Sequence, residues 1–493
     1  MILDAHGNPI RLAAPAMSDR QAAGTRVMRR LNAQQYDAAE TTNDNARHWQ
    51  HVSTLSADAA NNPAIRRTLR NRARYEAANN CYAKGLILTL ANDVVGTGPR
   101  LQMQTGTPSL DAMTERAFAD WCIAIDLAGT LRTLRHARAV DGEVFAALVT
   151  NPKTAGPVQL DVQLIEADRI AANPHDYATA LDPRDVDGVI LDDYGNPRRY
   201  RLLKRHPGGA NLLPTEAVGY LGASNVIHYF RADRPGQHRG VPDITPALPL
   251  IAQLRRFTLA VIAAAETAAS FAGVVYTEAV PDGEATTVDP MDTVEFEHRM
   301  WTTLPEGWKI GQFKAEQPAT TYTAFKAAII NEIARCLNMP YNIAAGNSSG
   351  YNYASGRLDH QTYYKAIKVD RQHIETRVLD RIFAAWADEY ALDVGPATLR
   401  TNRRHSWFWD GQEHVDPAKE ANAQATRLIN HTTTLAAEYA RQGKDWEAEL
   451  RQRAKEKALM DELGLTAAGP GADEAPDTED ENEDAEKREA QYA

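Results

Sequence analysis

The amino-acid sequence predicts an α+β protein that is mainly helical. Apolar residues recur at spacings of three and four between residues 320 and 337, and again between residues 357 and 390, which is the period of an amphipathic helix. Between residues 142 and 230, short apolar runs alternate with turn residues, which is typical of β-strands. With 493 residues, the chain has room for two to four domains and enough apolar content for sizeable cores.

Charge is distributed unevenly along the chain. Of the net charge of −11, residues 473–493 carry −8, because ten acidic residues there are offset only by Lys487 and Arg488. The rest of the chain is therefore only mildly acidic, at −3, and has no bulk basic surface that would predict ordinary duplex binding. The composition predicts a partly ordered arm over residues 1–60 and a disordered acidic tail over residues 466–493.

The chain is predicted to be helical from Asn62 to Asn92, and Pro63 suits a first-turn position. Its arginines predict a face that is solvated or forms salt bridges between subunits, with direct DNA contact as the alternative; they are Arg66, Arg67, Arg70, Arg72 and Arg74. The GTGPR segment at Gly96 lacks the Walker spacing, and Pro99 lacks a backbone donor. This segment is therefore predicted to be a turn and not a phosphate loop.

The strands of the α+β body are expected after a helical region from Ser109 to Val140. The segments with strand-like content are GEVFAALVT, VQLDVQLIEADRI, GVILDDYGNPRRYRLLK and NVIHYF. Within the third segment, the YGN triplet at Tyr194 predicts a hairpin.

A long apolar helix is predicted over residues 245–271. Its stretch from Phe257 approaches the length of a membrane span. However, this stretch contains Glu266, is rich in alanine and directly follows Arg255 and Arg256. A buried helix, or a helix packed beside copies of itself, is therefore favoured over a membrane helix.

A second helix begins at Thr320 or Thr321, either of which can cap it, and ends before Pro340. Its apolar stripe consists of Tyr322, Phe325, Ile329, Ile333 and Leu337. Residues 276–318, between the two helices, are rich in turn residues and short extended pieces. The loop over residues 342–356 is uncharged and long for a simple connection, and long loops tend to be functional.

The remainder of the chain is predicted to be mostly helical. From Arg357 a helix places apolar residues at helical spacing, at Ile367, Ile374, Val378, Ile382, Trp386 and Tyr390. A short extended stretch follows at His405 (HSWFWDG). A helical tract rich in alternating charge then runs over residues 416–463.

Several blocks of this sequence resemble the lambda-type family of tailed-phage portal proteins, and they occur in the family's order. The blocks are AKGLILTLANDVVGTGPRLQ from Ala83, VQLIEADRI from Val162, VIHYFRADRPGQHRGVPDITPALPLI from Val226, and the segment from Trp308 to Gln361. Together they cover roughly residues 60 to 460. The order of helix, small β-rich insert and helix is similar to the stem, clip and stem of portal proteins.

The resemblance implies a mainly helical portal fold with wing, stem, clip and crown regions, assembled as a dodecameric ring. The implied regions are an N-terminal arm (1–60), a wing (61–244), a first stem helix (245–275), a clip (276–318), a second stem helix (319–340), a tunnel loop (341–356), a wing helix and strand (357–415), crown helices (416–465) and the acidic tail (466–493).

The resemblance also implies which residues matter. The tunnel loop would border the channel through Asn347, Ser348, Ser349, Tyr351, Asn352 and Tyr353. An ordinary helix connection is the alternative for this loop. Packing of the stem helices is assigned to Ile262, Ala265, Phe325, Ile329 and Ile333.

The implied function is that of a portal subunit, which forms a channel at one capsid vertex for DNA packaging, retention and ejection. The implied partners are copies of this chain, double-stranded DNA in the channel, the terminase large subunit, the major capsid protein and a head-completion or adaptor protein. The chain would be a virion component assembled in the host cytoplasm, with no membrane and no cofactor.

No catalytic motif of the H-E-x-x-H, G-x-S-x-G or Walker type occurs in the sequence. Asp359 and His360 are consecutive on a helix and do not face each other, so a surface or helix–helix role is favoured over acid–base chemistry. Cys81, Cys122 and Cys336 lack C-x-x-C spacing, and the histidines lack metal-ligand spacing, so neither a metal site nor a disulfide is expected.

Two rival functions remain open at this point. One is a head-assembly enzyme, either a nuclease or a protease, although a metal-dependent nuclease would need clustered carboxylates and the densest acidic group lies in the tail. The other is a capsid adaptor or scaffold protein without a channel. Tryptophans that could stack on nucleic acid are expected instead to pack against other rings or in the core; they are Trp301, Trp308, Trp407 and Trp409.

Overall fold

A computed structural model describes most of the chain between residues 53 and 465. The described residues are 43, 46–51, 53–171, 182, 184–209, 218–270, 274–277, 308–311, 319–393, 395–411 and 417–465. Contacts divide the chain into two units, residues 1–60 and residues 61–493. The predicted tail, most of the predicted arm and most of the predicted clip lie outside the described residues, as does Trp301.

The described part of the chain is predominantly helical. Its helices are α1 (Ala57–Ala60) in the first unit and, in the second, α2 (Pro63–Asn79), α3 (Cys81–Val95), α4 (Pro108–Ala124), α5 (Leu127–Asp141), α6 (Leu248–Ser270), α7 (Ala319–Arg335), α8 (Tyr341–Ala345), α9 (Tyr353–Ile374), α10 (Asp380–Asp393), α11 (Pro417–Ile429), α12 (Leu435–Arg441) and α13 (Trp446–Glu462). A π-helical turn, Glu375–Leu379, joins α9 to α10.

The strands of the second unit form small antiparallel sheets. They are β1 (Arg100–Met103), β2 (Glu143–Thr150), β3 (Leu160–Ile165), β4 (Asp185–Val186), β5 (Val189–Leu191), β6 (Pro197–Leu203), β7 (Val218–Gly222), β8 (Val226–Phe230), β9 (Val274–Thr277), β10 (Trp308–Gly311) and β11 (His405–Phe408). The sheet orders are β3–β2–β8, β4–β5–β6–β7, β1–β11 and β9–β10. This mixture of helix and sheet confirms the predicted α+β class.

The region predicted to be helical over residues 62–92 is helical, and Asn80 divides it into α2 and α3. The backbone of Asn80 is extended, and its N–H donates to the Glu76 carbonyl, which ends α2. Its side-chain oxygen accepts from the amides of Tyr82 and Ala83, which starts α3. Asparagine is favoured at such N-caps because its side chain replaces a missing helical acceptor.

The larger core lies where α3, α5, α9 and α10 pack against the three-stranded sheet. The six apolar positions predicted from Ile367 to Tyr390 are all buried, as expected from their helical spacing. Phe118 on α4 meets the edge of Trp386 with ring centroids 5.1 Å apart, and Trp386 stacks on Tyr390 at 4.6 Å. A smaller core, with Phe145 at its centre, fills the space between β3–β2–β8 and β4–β5–β6–β7.

Two local predictions are confirmed by the strands. The YGN hairpin joins β5 and β6, with the Asp192 carboxylate accepting from the amides of Tyr194 and Asn196. The extended stretch at His405 is β11, which pairs with β1. The predicted helical tract over residues 416–463 is broken into α11, α12 and α13.

Candidate functional site: two paired helices, a short loop and buried charges

Helix α6 is packed into the core along its first half and exposed along its second half. Leu248, Ile251 and Leu254 are buried. Further along, Leu259 is 58% and Ile262 is 49% exposed, and Ala265 is also exposed. Because soluble monomers rarely expose large contiguous apolar patches, this half of α6 is suited to contact with another molecule.

Helix α7 shows the reverse order, because it is exposed along its first half and buried near its end. Ile333, near its end, is buried, Ile329 is half-buried and Phe325 is 51% exposed. The exposed halves of the two helices are joined by aromatic contacts, since Phe257 stacks on Tyr322 at 5.7 Å and meets Phe325 edge-on at 5.0 Å. The predicted stripe therefore continues from the core onto a shared exposed surface. We call the exposed apolar residues of α6 and α7 (Leu259, Ile262, Ala265 and Phe325) the paired-helix surface.

One described helical stretch, Thr245–Glu266, is long and apolar enough to cross a membrane, with a mean hydropathy of 1.4 and 22% of its window buried. Length and composition alone support this possibility. Its first half contributes to the core, and Arg255 within it forms an ion pair with Glu76 at 3.0 Å. These contacts fit a protein helix that leaves its own core partway along.

The loop after α7 is shorter than predicted. Residues 341–345 form α8, and Tyr353 already belongs to α9, so the irregular segment covers only residues 346–352. Gly346 adopts a left-handed conformation (φ 61°) that ends α8. Asn352 caps α9 in a reciprocal pair with Ser355, whose amide donates to the Asn352 side chain at 2.8 Å.

The loop is held against its neighbours by polar contacts. The Asn347 amide donates to the Asn342 carbonyl at 3.0 Å, and the Asn342 side-chain amide lies 2.8 Å from His360 Nε2. Burial and the nearby Asp359 carboxylate raise the pKa of Tyr351. Asp359 and His360 thus each contact the loop region separately, as expected for residues on different sides of a helix.

A buried charge cluster fixes the chain just before α6. Asp243 receives the Arg135 guanidinium at 2.9 Å and lies 3.6 Å from Arg138, while Asp370 on α9 contacts the same two arginines at 3.0 and 3.2 Å. Burial opposes the charge on Arg135, but the two carboxylates outweigh this effect and raise its pKa. This cluster, which we call the α6 anchor, joins α5, α9 and the start of α6. The sequence patterns did not predict it.

A second charge cluster holds the loop that carries Arg239. Glu143 is fully buried and accepts from Arg239 Nη2 at 2.6 Å, from the Gly240 amide at 2.9 Å and from His228 at 3.0 Å. Although burial favours the neutral acid, Arg239 and His228 hold the pKa of Glu143 well below its usual value. Burial lowers the pKa of His228. The two clusters together hold Arg239, Gly240 and Asp243, which lie in the loop between β8 and α6.

The arginines of α2 differ from the prediction of a solvated or inter-subunit face. Arg66 and Arg70 are buried, and Arg66 pairs with Asp187 inside the same chain. Arg70 and Arg74 both contact Asp168, at 3.4 and 2.7 Å. That prediction is therefore wrong for these three residues, whose spacing of four places them on one inward face. Arg67 and Arg72 are exposed.

Glu166, Asp168 and His206 offer three ligand atoms within 4.8 Å of one another. However, His206 Nδ1 accepts from the Gly208 amide at 3.0 Å, so only Nε2 faces the two carboxylates. Nε2 lies 2.8 Å from a Glu166 carboxylate oxygen and 3.8 Å from an Asp168 carboxylate oxygen. Since Asp168 is also paired with two arginines, the group is better described as an ion-pair network.

Two tryptophans that could have served as stacking surfaces are engaged within the chain. Trp407 packs against Phe118 at 5.8 Å and donates to Asp380. Trp409 donates to Glu375 and lies under the Arg371 guanidinium. The expectation of ring packing or burial is confirmed for both.

The sequence profile of the lambda family of phage portal proteins matches residues 42–371 of this chain. Since this match covers most of the chain, the protein belongs to that family, and the resemblance found in the sequence blocks is confirmed. The family is structural and not enzymatic. The protein is therefore of the portal, or head-tail connector, class.

The individual relatives and solved structures share less than a quarter of their residues with this chain. The probable portal protein of Halomonas phage phiHAP-1 is 24% identical over 454 residues, which are 84% of this chain and 86% of the relative. Among solved structures, a chain in the neck of an empty GTA particle computed with C6 symmetry is similar (16% identity, TM-score 0.45, 76% of this chain and 93% of that one). A chain in the neck of a native GTA particle computed with C12 symmetry is also similar (14% identity, TM-score 0.45, 78% and 94%).

Proposed function

We propose that this chain is a portal subunit whose copies form a closed ring at one capsid vertex, through which DNA is packaged, retained and ejected. In this assignment α6 and α7 are the stem helices, residues 276–318 form the clip, α11 to α13 form the crown, and most of the remaining helices and sheets form the wing. Family membership supports the class of protein, and the relative in phage phiHAP-1 bears a portal name.

The observation that carries the ring proposal is the paired-helix surface. Leu259, Ile262 and Phe325 are about half exposed in the single chain, next to a run of small alanines. Burying these residues against the neighbouring subunit removes apolar area from water at about 25 cal/mol per Å². Twelve helices at about 10 Å spacing form a circle about 38 Å across, which leaves an opening of roughly 28 Å after helix radii are subtracted. A DNA duplex passes through such an opening.

The loop over residues 346–352 is assigned to the channel wall. It carries Asn, Ser and Tyr side chains and no charged residue. Such side chains can touch phosphates without the tight, salt-sensitive hold that clustered cations produce. The remaining partners in this proposal are the terminase large subunit, the major capsid protein and a head-completion or adaptor protein, within a virion assembled in the host cytoplasm.

Membrane insertion is the alternative that a specific observation favours, because Thr245–Glu266 meets the length and composition requirement. Contact between Phe257 and α7 favours the protein ring, since it pairs the exposed half of α6 with a second helix. A nuclease, a protease or a non-channel adaptor would not need a paired apolar surface of this kind.

The test is the state of assembly of the purified full-length protein. Mass measurement and negative-stain microscopy should show closed rings with a central hole. Ile262→Asp should disrupt rings, because it places a charge in the paired-helix surface. Ile123→Asp is the matched control, since Ile123 is 79% exposed on α4, away from that surface.

The proposal is abandoned if the wild-type protein remains a monomer across concentration and salt, or if both variants form rings equally well. Flotation of the wild-type protein with lipid vesicles, without rings, would support membrane insertion instead.

A further inference from the structure

Helix α9 presents one continuous exposed face. At about 100° per residue, eight of its exposed side chains fall on an arc of about 140° that points away from the buried Tyr363, Ile367 and Ile374, while the exposed Ser355 and Asp359 lie outside this arc. The residues on this arc are Arg357, Leu358, Gln361, Thr362, Lys365, Lys368, Val369 and Gln372. We call this set the α9 outer face.

The α9 outer face is cationic and contains no carboxylate. Arg357, Lys365 and Lys368 make no ion pair with any residue in the described ranges. The neighbouring Asp359 lies on another side of the helix, near Tyr351. Buried arginines elsewhere, such as Arg135, are neutralised by carboxylates of the same chain. In a chain with a net charge of −11, three unpaired cations on one helix face indicate an anionic partner.

The spacing of these cations suits a polyanion. Arg357 and Lys368 are separated by roughly 16 Å along the helix axis, at about 1.5 Å per residue. A DNA duplex of that length carries about ten phosphate charges. Gln361 and Gln372 add amide donors between the cations, and Leu358 and Val369, at 66% and 67% exposed, add apolar area. The helix also begins directly after the loop over residues 346–352.

We propose that the α9 outer face binds the phosphate backbone of double-stranded DNA. This inference rests on the proposed portal function, and it adds a surface to the uncharged loop. Phosphate contacts from three cations per subunit form an interaction that weakens as the salt concentration rises.

The test uses the full-length chain and a linear DNA duplex. The triple variant Arg357→Gln, Lys365→Gln and Lys368→Gln is compared with a control that removes the same charge from exposed positions of α13, Arg453→Gln, Lys455→Gln and Lys457→Gln. DNA binding is measured over a series of salt concentrations. The slope of log affinity against log salt should become shallower by about 0.9 for each phosphate that the protein no longer neutralises, and only in the α9 variant.

Each other outcome overturns the inference. An unchanged slope means that the face does not bind DNA, and an equal change in both variants means a general charge effect. Loss of rings in the α9 variant alone assigns the face to contact between subunits. If the slope of the α9 variant changes only after residues 473–493 are removed, the α9 outer face binds the acidic tail and not DNA. Failure of the wild-type protein to form rings would instead contradict the proposed function. Negative-stain microscopy detects rings independently of the DNA-binding measurement.

Discussion

Replacing Asp243 by Asn should destabilise the protein strongly. Asp243, Arg135 and Arg138 are each at most 3% exposed at the side chain. The substitution keeps the shape of the side chain and removes its charge. Two buried guanidinium groups would then share only Asp370, which is 19% exposed.

The expected loss is about 3–5 kcal/mol, the usual cost of breaking a buried ion pair by removing one partner. Asp388→Asn is a matched control, because Asp388 is 63% exposed where it pairs with Arg403. An exposed pair of that kind contributes about 1 kcal/mol or less. The difference between the two variants is therefore the quantity to measure.

Chemical denaturation is a better assay than thermal denaturation here. Unfolding entropy is about 2 cal/mol/K per residue, so for roughly 400 residues 1 kcal/mol shifts the Tm by only about 1 °C. The urea midpoint of the Asp243→Asn protein should fall well below those of the wild type and of Asp388→Asn. Equal midpoints for the two variants would refute the conclusion that the α6 anchor stabilises this region.

Three further predictions follow from the charge and loop features. Deleting residues 473–493 should leave unfolding and ring yield unchanged, since so charged a segment cannot bury enough apolar surface to order itself; a large loss of either would make the tail structural. Removing residues 348–350, which leaves the Asn352 cap intact, should reduce the length of DNA protected in an in vitro packaging assay while rings still form, and normal packaging with normal retention would leave the loop a simple connection. Burial, aided by nearby carboxylates, raises the pKa of Glu115 to about 7. Its charge therefore opposes folding above pH 7, and the free energy of unfolding should rise as the pH falls towards 4.5. In urea unfolding, the Glu115→Gln protein should lack this rise between pH 8 and pH 5, and an identical rise in both proteins would contradict the assignment.

The helices could be predicted where apolar residues recur at helical spacing, because those residues are the buried ones. The predicted ends of α6 and α7 lie within a few residues of the observed ones. The prediction that Thr320 or Thr321 caps α7 was wrong, because the helix begins at Ala319 and both threonines lie within its first turn. The break at Asn80 was missed because the apolar residues of α3 continue the same period. Only the side-chain cap of Asn80 interrupts the helix, and a lone asparagine is a weak sequence signal.

The buried charges were missed for a different reason. Arg66, Arg70 and Arg74 recur every four residues, which could have indicated one shared face, but an arginine is ordinarily exposed. Their carboxylate partners, including Asp187, are distant in sequence and become neighbours only through the fold. The pairing of β1 with β11, which joins residues about 300 positions apart, was hidden for the same reason.

Ile262 and Ile333 show why the site residues could be identified only in part. Both lie on apolar stripes of paired helices, and their sequence contexts carry the same signal. Ile333 is 2% exposed because the core of its own chain covers it, whereas Ile262 is 49% exposed. An apolar stripe predicts that a residue packs against an apolar partner, but it does not predict whether that partner belongs to the same chain. The point along α6 where burial ends therefore separates residues that stabilise the subunit from those available to join one subunit to the next.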